Sequence, residues 1–183
     1  GDNTALTLDL DSAAAITDGS ISVAVTNLAD FNGTAITVGG AGSTTNFGTL
    51  TFNSAGAVVI QEDSSTALAG DNTALSLDLD STDAIKDEST SVAIMNLADF
   101  NGTAIRVGGS GTTTNFATLT FNSAGAVVIQ EDSATALSGT NTALSLNLDS
   151  AAAITDGSIS VAVTNLADFS GTAITVGGAG TTT

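Results

Sequence analysis

The chain repeats itself with one long, fixed period. Residues 48–64 (GTLTFNSAGAVVIQEDS) return almost unchanged as residues 117–133, and the opening GDNTAL returns at residues 70–75. A long fixed period is typical of architectures whose units bury apolar surface only against their neighbours. The sequence therefore predicts one continuous solenoid made of two full units and a partial third. The three units are residues 1–69, 70–138 and 139–183.

Short runs of alternating apolar and polar residues within each unit predict β-strands with one buried face. Valine, isoleucine and threonine dominate these runs, as a pleated surface favours, and we interpret the intervening residues 27–33 (NLADFNG) as a loop. No helical periodicity is present. We expect an all-β fold of stacked rungs, about three per unit, with roughly 23 residues in each rung. The predicted strands are residues 6–11, 21–25, 35–38, 49–52 and 57–60.

A comparison of the first two units indicates which side chains face the core. Most differences fall at predicted outward or turn positions, such as Thr17 becoming Lys86 and Thr37 becoming Arg106. Ile21 becomes Thr90, so we expect that position to be at most half-buried. The predicted inward residues recur unchanged, and in the first unit they are Leu6, Leu8, Leu10, Val23, Val38, Leu50, Phe52, Val58 and Ile60.

Three rungs per unit would also separate equivalent charges. Asp9 and Asp78 would lie about 14 Å apart on one face, beyond the Debye length of roughly 8 Å at physiological salt. Asn53 and Asn122 are equivalent residues at one predicted turn of the repeat, and three further asparagines are equivalent residues at another. Two interpretations stay open for these residues: buried amides that bond to neighbouring rungs, or turn residues with positive φ. The three further asparagines are Asn27, Asn96 and Asn165.

Composition argues against several functional classes. The net charge is −17, with 19 acidic residues against only Lys86 and Arg106, which disfavours binding to nucleic acid or anionic membranes. The chain has no cysteine and no histidine, so the usual general base and the commonest transition-metal ligand are missing. No run of roughly 20 apolar residues suggests membrane insertion. No signal peptide is recognisable, and we interpret the chain as a segment of a longer protein. We expect no enzymatic activity.

Asp9 and Asp11 both point outward from one strand, about 6 to 7 Å apart, and two such carboxylates could suggest calcium binding or glycosidase chemistry. Calcium is the ion such a pair could suit, but it prefers six to eight oxygen ligands and an open strand face offers few. Asn147 replaces the first aspartate in the third unit. We therefore interpret the pair as a solvated acidic face. The sequence predicts no catalytic, cofactor-binding or metal-binding residues.

Two other patterns suggest ligands but have simpler explanations. Residues 39–42 (GGAG) lack the following lysine and helix of a phosphate-binding loop, so they predict a turn. Thr49 and Thr51, which recur as Thr118 and Thr120, could form outward rows that order water as in ice-binding proteins. Threonine is also common on the exposed face of ordinary strands.

The segment TLTFNSAGAVVIQEDSATALSGTNTALSL, residues 118–146, resembles the giant repetitive β-solenoid surface proteins of bacteria, which include filamentous-haemagglutinin-like and autotransporter adhesins. The resemblance lies in short strands, N-S-A-G-A turns and a composition without cysteine or proline. It implies a right-handed parallel β-helix within an exported filament or stalk at the bacterial cell surface.

We therefore expect a structural or adhesive segment of an extracellular bacterial fibre. The expected partners are neighbouring repeats of the same or identical chains, and host-cell or surface glycans. The alternative is a ligand-binding β-solenoid for calcium, glycan or ice. An enzyme built on a β-helix would need a cluster of acids and bases that breaks the repeat, and Lys86 and Arg106 are the only basic residues.

Overall fold

The computed structural model describes residues 1–177 and shows an all-β solenoid of about nine turns. Its 22 strands join in one hydrogen-bonded sheet, and neighbouring strands run parallel from turn to turn. The predicted fold class is confirmed. Across these residues no helix is long and apolar enough to cross a membrane.

The strands follow the repeat that the sequence shows. The first unit contains β1 (Asp2–Ala5), β2 (Leu8–Asp11), β3 (Ile16–Thr17), β4 (Ser22–Gly33), β5 (Ile36–Val38), β6 (Thr44–Ser54), β7 (Ala57–Glu62) and β8 (Thr66–Leu68). The second contains β9 (Asp71–Ala74), β10 (Ser76–Ser81), β11 (Ile85–Asp87), β12 (Ser91–Gly102), β13 (Ile105–Val107), β14 (Thr113–Ser123), β15 (Ala126–Glu131) and β16 (Thr135–Leu137). The third contains β17 (Thr140–Ala143), β18 (Ser145–Ser150), β19 (Ala153–Asp156), β20 (Ser160–Val163), β21 (Ala167–Ser170) and β22 (Ala173–Thr175).

The loop predicted at residues 27–33 is wrong, because this segment is the second half of β4. β4 pairs with β6 along its whole length, and the register shifts only between Val25 and Leu28. Ala29 and Phe31 are buried, so the alternation that marks a strand is present here. The bulge divides β4 into two segments that lie on either side of a corner, and the matching corner divides β6.

Each turn of the coil is shorter than the sequence predicted. Leu8 pairs with Ala29 on the next turn, and Ala29 pairs with Leu50. Hydrogen-bonded partners on adjacent turns are commonly 20 or 21 positions apart in the sequence, where the predicted turn held roughly 23 residues. Each turn consists of three strand segments, for example β2, β3 and the first half of β4.

A unit is therefore three turns plus one additional segment. When the halves of β4 and β6 are counted separately, β1 to β8 provide ten segments, and a turn takes three. Leu77 is the counterpart of Leu8, yet it stacks between Val58 and Ala98 in a column that begins at Ile16. Equivalent residues of successive units thus lie on different sides of the coil.

A continuous core runs along the axis. The benzyl groups of Phe31 and Phe47 pack with their ring centroids 5.6 Å apart, and Phe100 and Phe116 repeat the contact at 5.7 Å. Fully burying a side chain of this size contributes about 1.5–3 kcal/mol. The buried inward predictions include Val38, Leu50, Phe52, Val58 and Ile60, with Val107, Leu119, Phe121, Val127 and Ile129 in the second unit.

The inward prediction for Leu6 is wrong. Its side chain is 66 % exposed, and its counterparts Leu75 and Leu144 are also exposed, because all three sit at the corner just before an inward-facing strand begins. Leu10 is partly exposed in the first described turn, whereas Leu79 is fully buried. Ile21 is 63 % exposed, and this agrees with the expectation from its replacement by Thr90.

Candidate functional site

One place in each unit departs from the regular ladder, and we call residues 62–72 and 131–141 the joints. At the first joint Leu50 is the register partner of Leu68, and this turn is shorter than its neighbours. The first half of β6 consequently has no full strand lying on it. Asp63 supplies a single backbone bond there, from its N–H to the carbonyl of Thr45 at 2.8 Å.

Acidic side chains replace the missing strand at the joint. Asp63 Oδ2 accepts the N–H of Thr45 at 2.8 Å, and Glu62 Oε1 accepts the N–H of Phe47 at 2.8 Å. Glu62 is 2 % exposed, and its Oε2 accepts the hydroxyl of Thr66 at 2.6 Å. Buried N–H groups need acceptors, and these carboxylates provide them where the backbone does not.

The second joint repeats these contacts. Asp132 Oδ2 accepts the N–H of Thr114, and Glu131 Oε1 accepts the N–H of Phe116, each at 2.8 Å. Burial raises the pKa of Glu131, and the hydrogen bonds from Thr135, Phe116 and Ser133 only partly offset this effect. The pKa of Glu62 is raised for the same reason. Both joints thus use their acids as structural acceptors.

A buried asparagine completes each joint. Asn72 Oδ1 accepts the N–H of Phe52 at 3.0 Å, and its Nδ2 donates to the carbonyl of Ala69 at 2.9 Å. Asn141 makes the same two bonds to Phe121 and Ser138. These roles were not predicted from the sequence. The available signal was that Glu62, Asp63 and Asn72 recur unchanged in the second or third unit while neighbouring polar residues vary.

A second acidic residue connects adjacent turns at a corner. Asp87 accepts the N–H of Ser89 at 2.9 Å and, from the next turn, the N–H of Gly108 at 2.8 Å. Asp18 and Asp156 make the same contacts. Burial acts to raise the pKa of Asp156, but hydrogen bonds from Ser158 and Gly177 outweigh it and lower the pKa.

The glycine-rich segment after β5 is a turn, as predicted. Gly39, Gly40 and Gly42 have φ values of 82°, 134° and 89°, which favour glycine. A Cβ atom on Gly39 would lie 2.1 Å from the carbonyl oxygen of Gln61. Close packing against β7 therefore accounts for Gly39.

Outward aspartates of the same unit stack directly on one another, although the equivalent Asp9 and Asp78 of successive units lie in different columns. Asp9 pairs in register with Asp30 on the next turn of the same unit, and Asp78 pairs with Asp99. The sequence comparison between units gave no prediction for this stacking within one unit. Burial and the charges of Asp9 and Asp11 raise the pKa of Asp30.

Asp99 is the most perturbed of these acids. Burial, followed by the charges of Asp78 and Asp80, raises the pKa of Asp99 to about 6. Its Oδ1 is buried and has no hydrogen-bond partner among the described residues. Asp80 does have a hydrogen-bond partner, because its Oδ1 accepts a hydrogen bond from Asn101 Nδ2 at 2.7 Å.

The acidic face offers no ready metal cage. Within residues 1–177, no group of three or more acidic, histidine or cysteine side chains is placed to hold a metal ion. Asp9 and Asp11 project from β2 as predicted and are both exposed. Calcium would need several further oxygens from water or a partner at this face.

Outward rows do not form at these threonines. Thr51 and Thr120 are buried, and their hydroxyls donate to the carbonyls of Ala69 and Ser138 at 2.9 and 3.0 Å. Their place in the ladder next to a joint turns them into structural donors. Thr49 and Thr118 remain half-buried.

The asparagine hypotheses are partly resolved. No non-glycine residue in the described part of the chain has positive φ, so the positive-φ interpretation is wrong there. Asn53 Oδ1 instead accepts a hydrogen bond from the hydroxyl of Thr73 on the next turn at 3.0 Å, and the side-chain amide of Asn122 contacts the hydroxyl of Thr142 at 3.2 Å. Asn27, Asn96 and Asn165 lie exposed at corners.

The two basic residues are also neighbours. Lys86 and Arg106 are register partners on β11 and β13, and both are exposed. Their flanking partners in the column are the uncharged Ala67 and Val128. The predicted outward placement of both residues is confirmed.

A groove recurs beside each joint. The first has a volume of about 440 Å³ and the second about 370 Å³. Gln61 Nε2 donates to Asp80 Oδ2 across the first groove at 3.2 Å. Both grooves are open and shallow clefts. Equivalent residues line them: Gly40, Gln61, Asp63 and Asp80 in the first, and Gly109, Gln130, Asp132 and Asp149 in the second.

Comparison with known proteins gives no relative: no protein-family model, curated protein or solved structure matches this chain. The class that the coordinates define is a tandem-repeat parallel β-solenoid.

Proposed function

We propose that this chain is a structural and adhesive segment of an extracellular bacterial surface fibre. The observation that carries the proposal is the continuous stack of turns, in which strand pairing joins each turn to the next and buried side-chain acceptors take over at both joints. Such a column resists bending and stretching because many hydrogen bonds and core contacts must break together. At about 4.8 Å per turn, about nine turns extend on the order of 40 Å.

The repeat supports a role in length and display. Each added unit extends the rod by about three turns and moves equivalent side chains to another side of the coil. Surface variants such as Lys86 and Arg106 replace threonine without disturbing the core. A fibre built this way lengthens by duplication and presents its surface around the whole axis. This matches the filamentous-haemagglutinin-like and autotransporter adhesins that the sequence resembles.

The surface also fits this proposal. A net charge of −17 keeps exposed rods apart by repulsion. Surface glycans are proposed partners, since hydroxyl and carboxylate side chains along the outer columns can hydrogen-bond to sugars. Identical chains are proposed to meet end to end, where their acidic sides do not face each other.

The test is to change repeat number in the parent protein on living cells. Deletion of residues 70–138 should shorten each fibre by roughly 16 Å per unit removed, at about 4.8 Å per turn, as measured by electron microscopy of antibody-labelled fibres. Adhesion to glycan-coated surfaces should fall with fibre length. Detection of the chain only inside the cell, or as globular particles, would overturn the proposal.

A further inference from the structure

Asp78 on β10 and Asp99 on β12 are direct register partners on adjacent turns. Partner residues in neighbouring strands lie about 4.8 Å apart, and these two side chains leave the sheet on the same outer face. Two ionised carboxylates in this arrangement repel each other. The chain nevertheless keeps both acids in the middle of the described coil, where β7 and β14 flank the pair on either side.

The surroundings do not neutralise the pair. On β10 the only other titratable neighbour is Asp80, which adds negative charge. Its Oδ1 already accepts a hydrogen bond from Asn101 Nδ2. The partner of Asp99 on β14 is Thr120, and the partners of Asp78 and Asp80 on β7 are Val59 and Gln61, all uncharged. Asp99 Oδ1 is buried without a hydrogen-bond partner among residues 1–177.

We propose that Asp78 and Asp99 hold one proton between them and form an acid-strengthened clasp between adjacent turns. The proton comes from solvent and resides on one carboxyl, whose O–H donates to a carboxylate oxygen of the other residue. Protonation removes the repulsion and gives the orphaned oxygen a partner. No covalent bond changes.

The direction of the effect follows from the titration of the pair. Burial and the neighbouring Asp78 and Asp80 raise the pKa of Asp99 from 3.8 to about 6. Burial and Asp80 raise the pKa of Asp78 as well. A raised folded-state pKa gives stabilisation that is complete below about 3.8 and is lost as pH rises through about 6. The two carboxyls titrate as a coupled pair.

The other units provide internal contrasts. In the third unit Asn147 faces Asp168, so an amide can donate to the carboxylate without any proton uptake. In the first unit Asp9 and Asp30 are also stacked, but Asp30 Oδ1 accepts a hydrogen bond from Asn32 Nδ2 at 3.5 Å, whereas Asp99 Oδ1 has no partner among the described residues. The acid response should therefore be strongest at Asp78 and Asp99.

The decisive experiment is a carboxyl ¹³C NMR titration of the intact chain and of the Asp78→Asn variant. We expect Asp99 to titrate near 6 in the native chain and about one pH unit lower in the variant, where the like charge is gone. A native value near that of a free aspartate would overturn the clasp. If the pKa of Asp99 is unchanged in Asp78→Asn, the two residues do not share a proton, since burial alone would then explain the raised pKa of Asp99.

Urea unfolding gives a second readout that does not depend on assignments. The midpoint of the native chain should rise between about pH 8 and about pH 5, and Asp99→Asn should lose part of that rise. The matched control is Asp168→Asn, which should keep the native response. Equal pH responses in the two variants would contradict the proposal.

Discussion

The regular turns and the joints provide acceptors for backbone N–H groups in two different ways. In the regular turns, the backbone of each strand bonds to the strand above, as between β2 and β4. At the joints, the side chains of Glu62, Asp63 and Asn72 accept the N–H groups of β6. The difference shows that a strand segment can lack a full partner strand in a closed coil if buried side-chain acceptors replace the missing carbonyls.

The joint also explains the period. The two joints are separated by one full repeat of the sequence, and between them the coil makes regular turns of three segments each. The joint adds one strand segment to the three regular turns. Each strand of the next unit therefore lies on a different side of the coil from its counterpart in the unit before. The repeat in the sequence is thus the distance between joints.

The largest expected effect comes from the regular core. Phe52→Ala should destabilise the chain by about 3–5 kcal/mol, because a fully buried ring is replaced by a cavity. Urea unfolding measures this loss. The control is Leu6→Ala at the exposed corner, which should change stability by less than about 0.5 kcal/mol. Similar losses at both positions would show that Leu6 packs in the core after all.

Removal of an acceptor side chain at a joint should give the second-largest loss of stability. Glu131→Ala leaves the buried N–H of Phe116 and the hydroxyl of Thr135 without their acceptor, so we expect a loss of about 2–3 kcal/mol. Glu131→Gln keeps an oxygen at Oε1 and should lose less. Glu88→Gln, on the exposed surface, is the control. If Ala and Gln destabilise equally, hydrogen-bond acceptance is not the role of Glu131.

The asparagine of the joint should matter somewhat less. Asn72→Ala removes one acceptor and one donor and should lower the free energy of unfolding by about 1–2 kcal/mol. Hydrogen exchange should show the amide of Phe52 losing protection. Asn96→Ala at an exposed corner is the comparison variant, and a matching loss there would remove the distinction between joint and corner.

The corner aspartates should give the smallest effect, visible in acid. The pKa values of Asp18 and Asp156 are lowered in the folded state, so their stabilisation is present above about 3.8 and is lost as pH falls through the lower folded value. Asp156→Asn should reduce stability at neutral pH by less than about 1 kcal/mol. The difference in stability between Asp156→Asn and the native chain should become smaller at low pH. A difference that stays constant with pH would contradict a stabilising role for the ionised Asp156.

The sequence predicted the features that depend on local pattern. Alternation identified strands and inward residues such as Leu50, Phe52 and Ile60, and the differences between units located outward positions such as Lys86. The loop predicted at residues 27–33 failed because polar residues at the bulged corner of β4 mask its alternation. The inward prediction for Leu6 failed because the alternation of Leu6, Leu8 and Leu10 begins at the corner before β2 starts.

The features that depend on long-range pairing could not be predicted. Nothing local distinguishes the predicted turn length from the shorter turns that the register shows. The stacking of Asp78 on Asp99 follows from that register, and so does the role of Glu62 as an acceptor for Phe47. Each needs knowledge of which segments meet on adjacent turns.

The phase shift between units can be tested directly by cross-linking, because the chain has no native cysteine. Val59 and Asp78 are register partners, and partners on adjacent strands lie within disulfide range. We expect Val59→Cys with Asp78→Cys to form a disulfide rapidly under mild oxidation. Ala55→Cys with Asp78→Cys, the pair that three equal turns per unit would stack, should stay reduced. The opposite result would contradict a unit of three turns plus one segment.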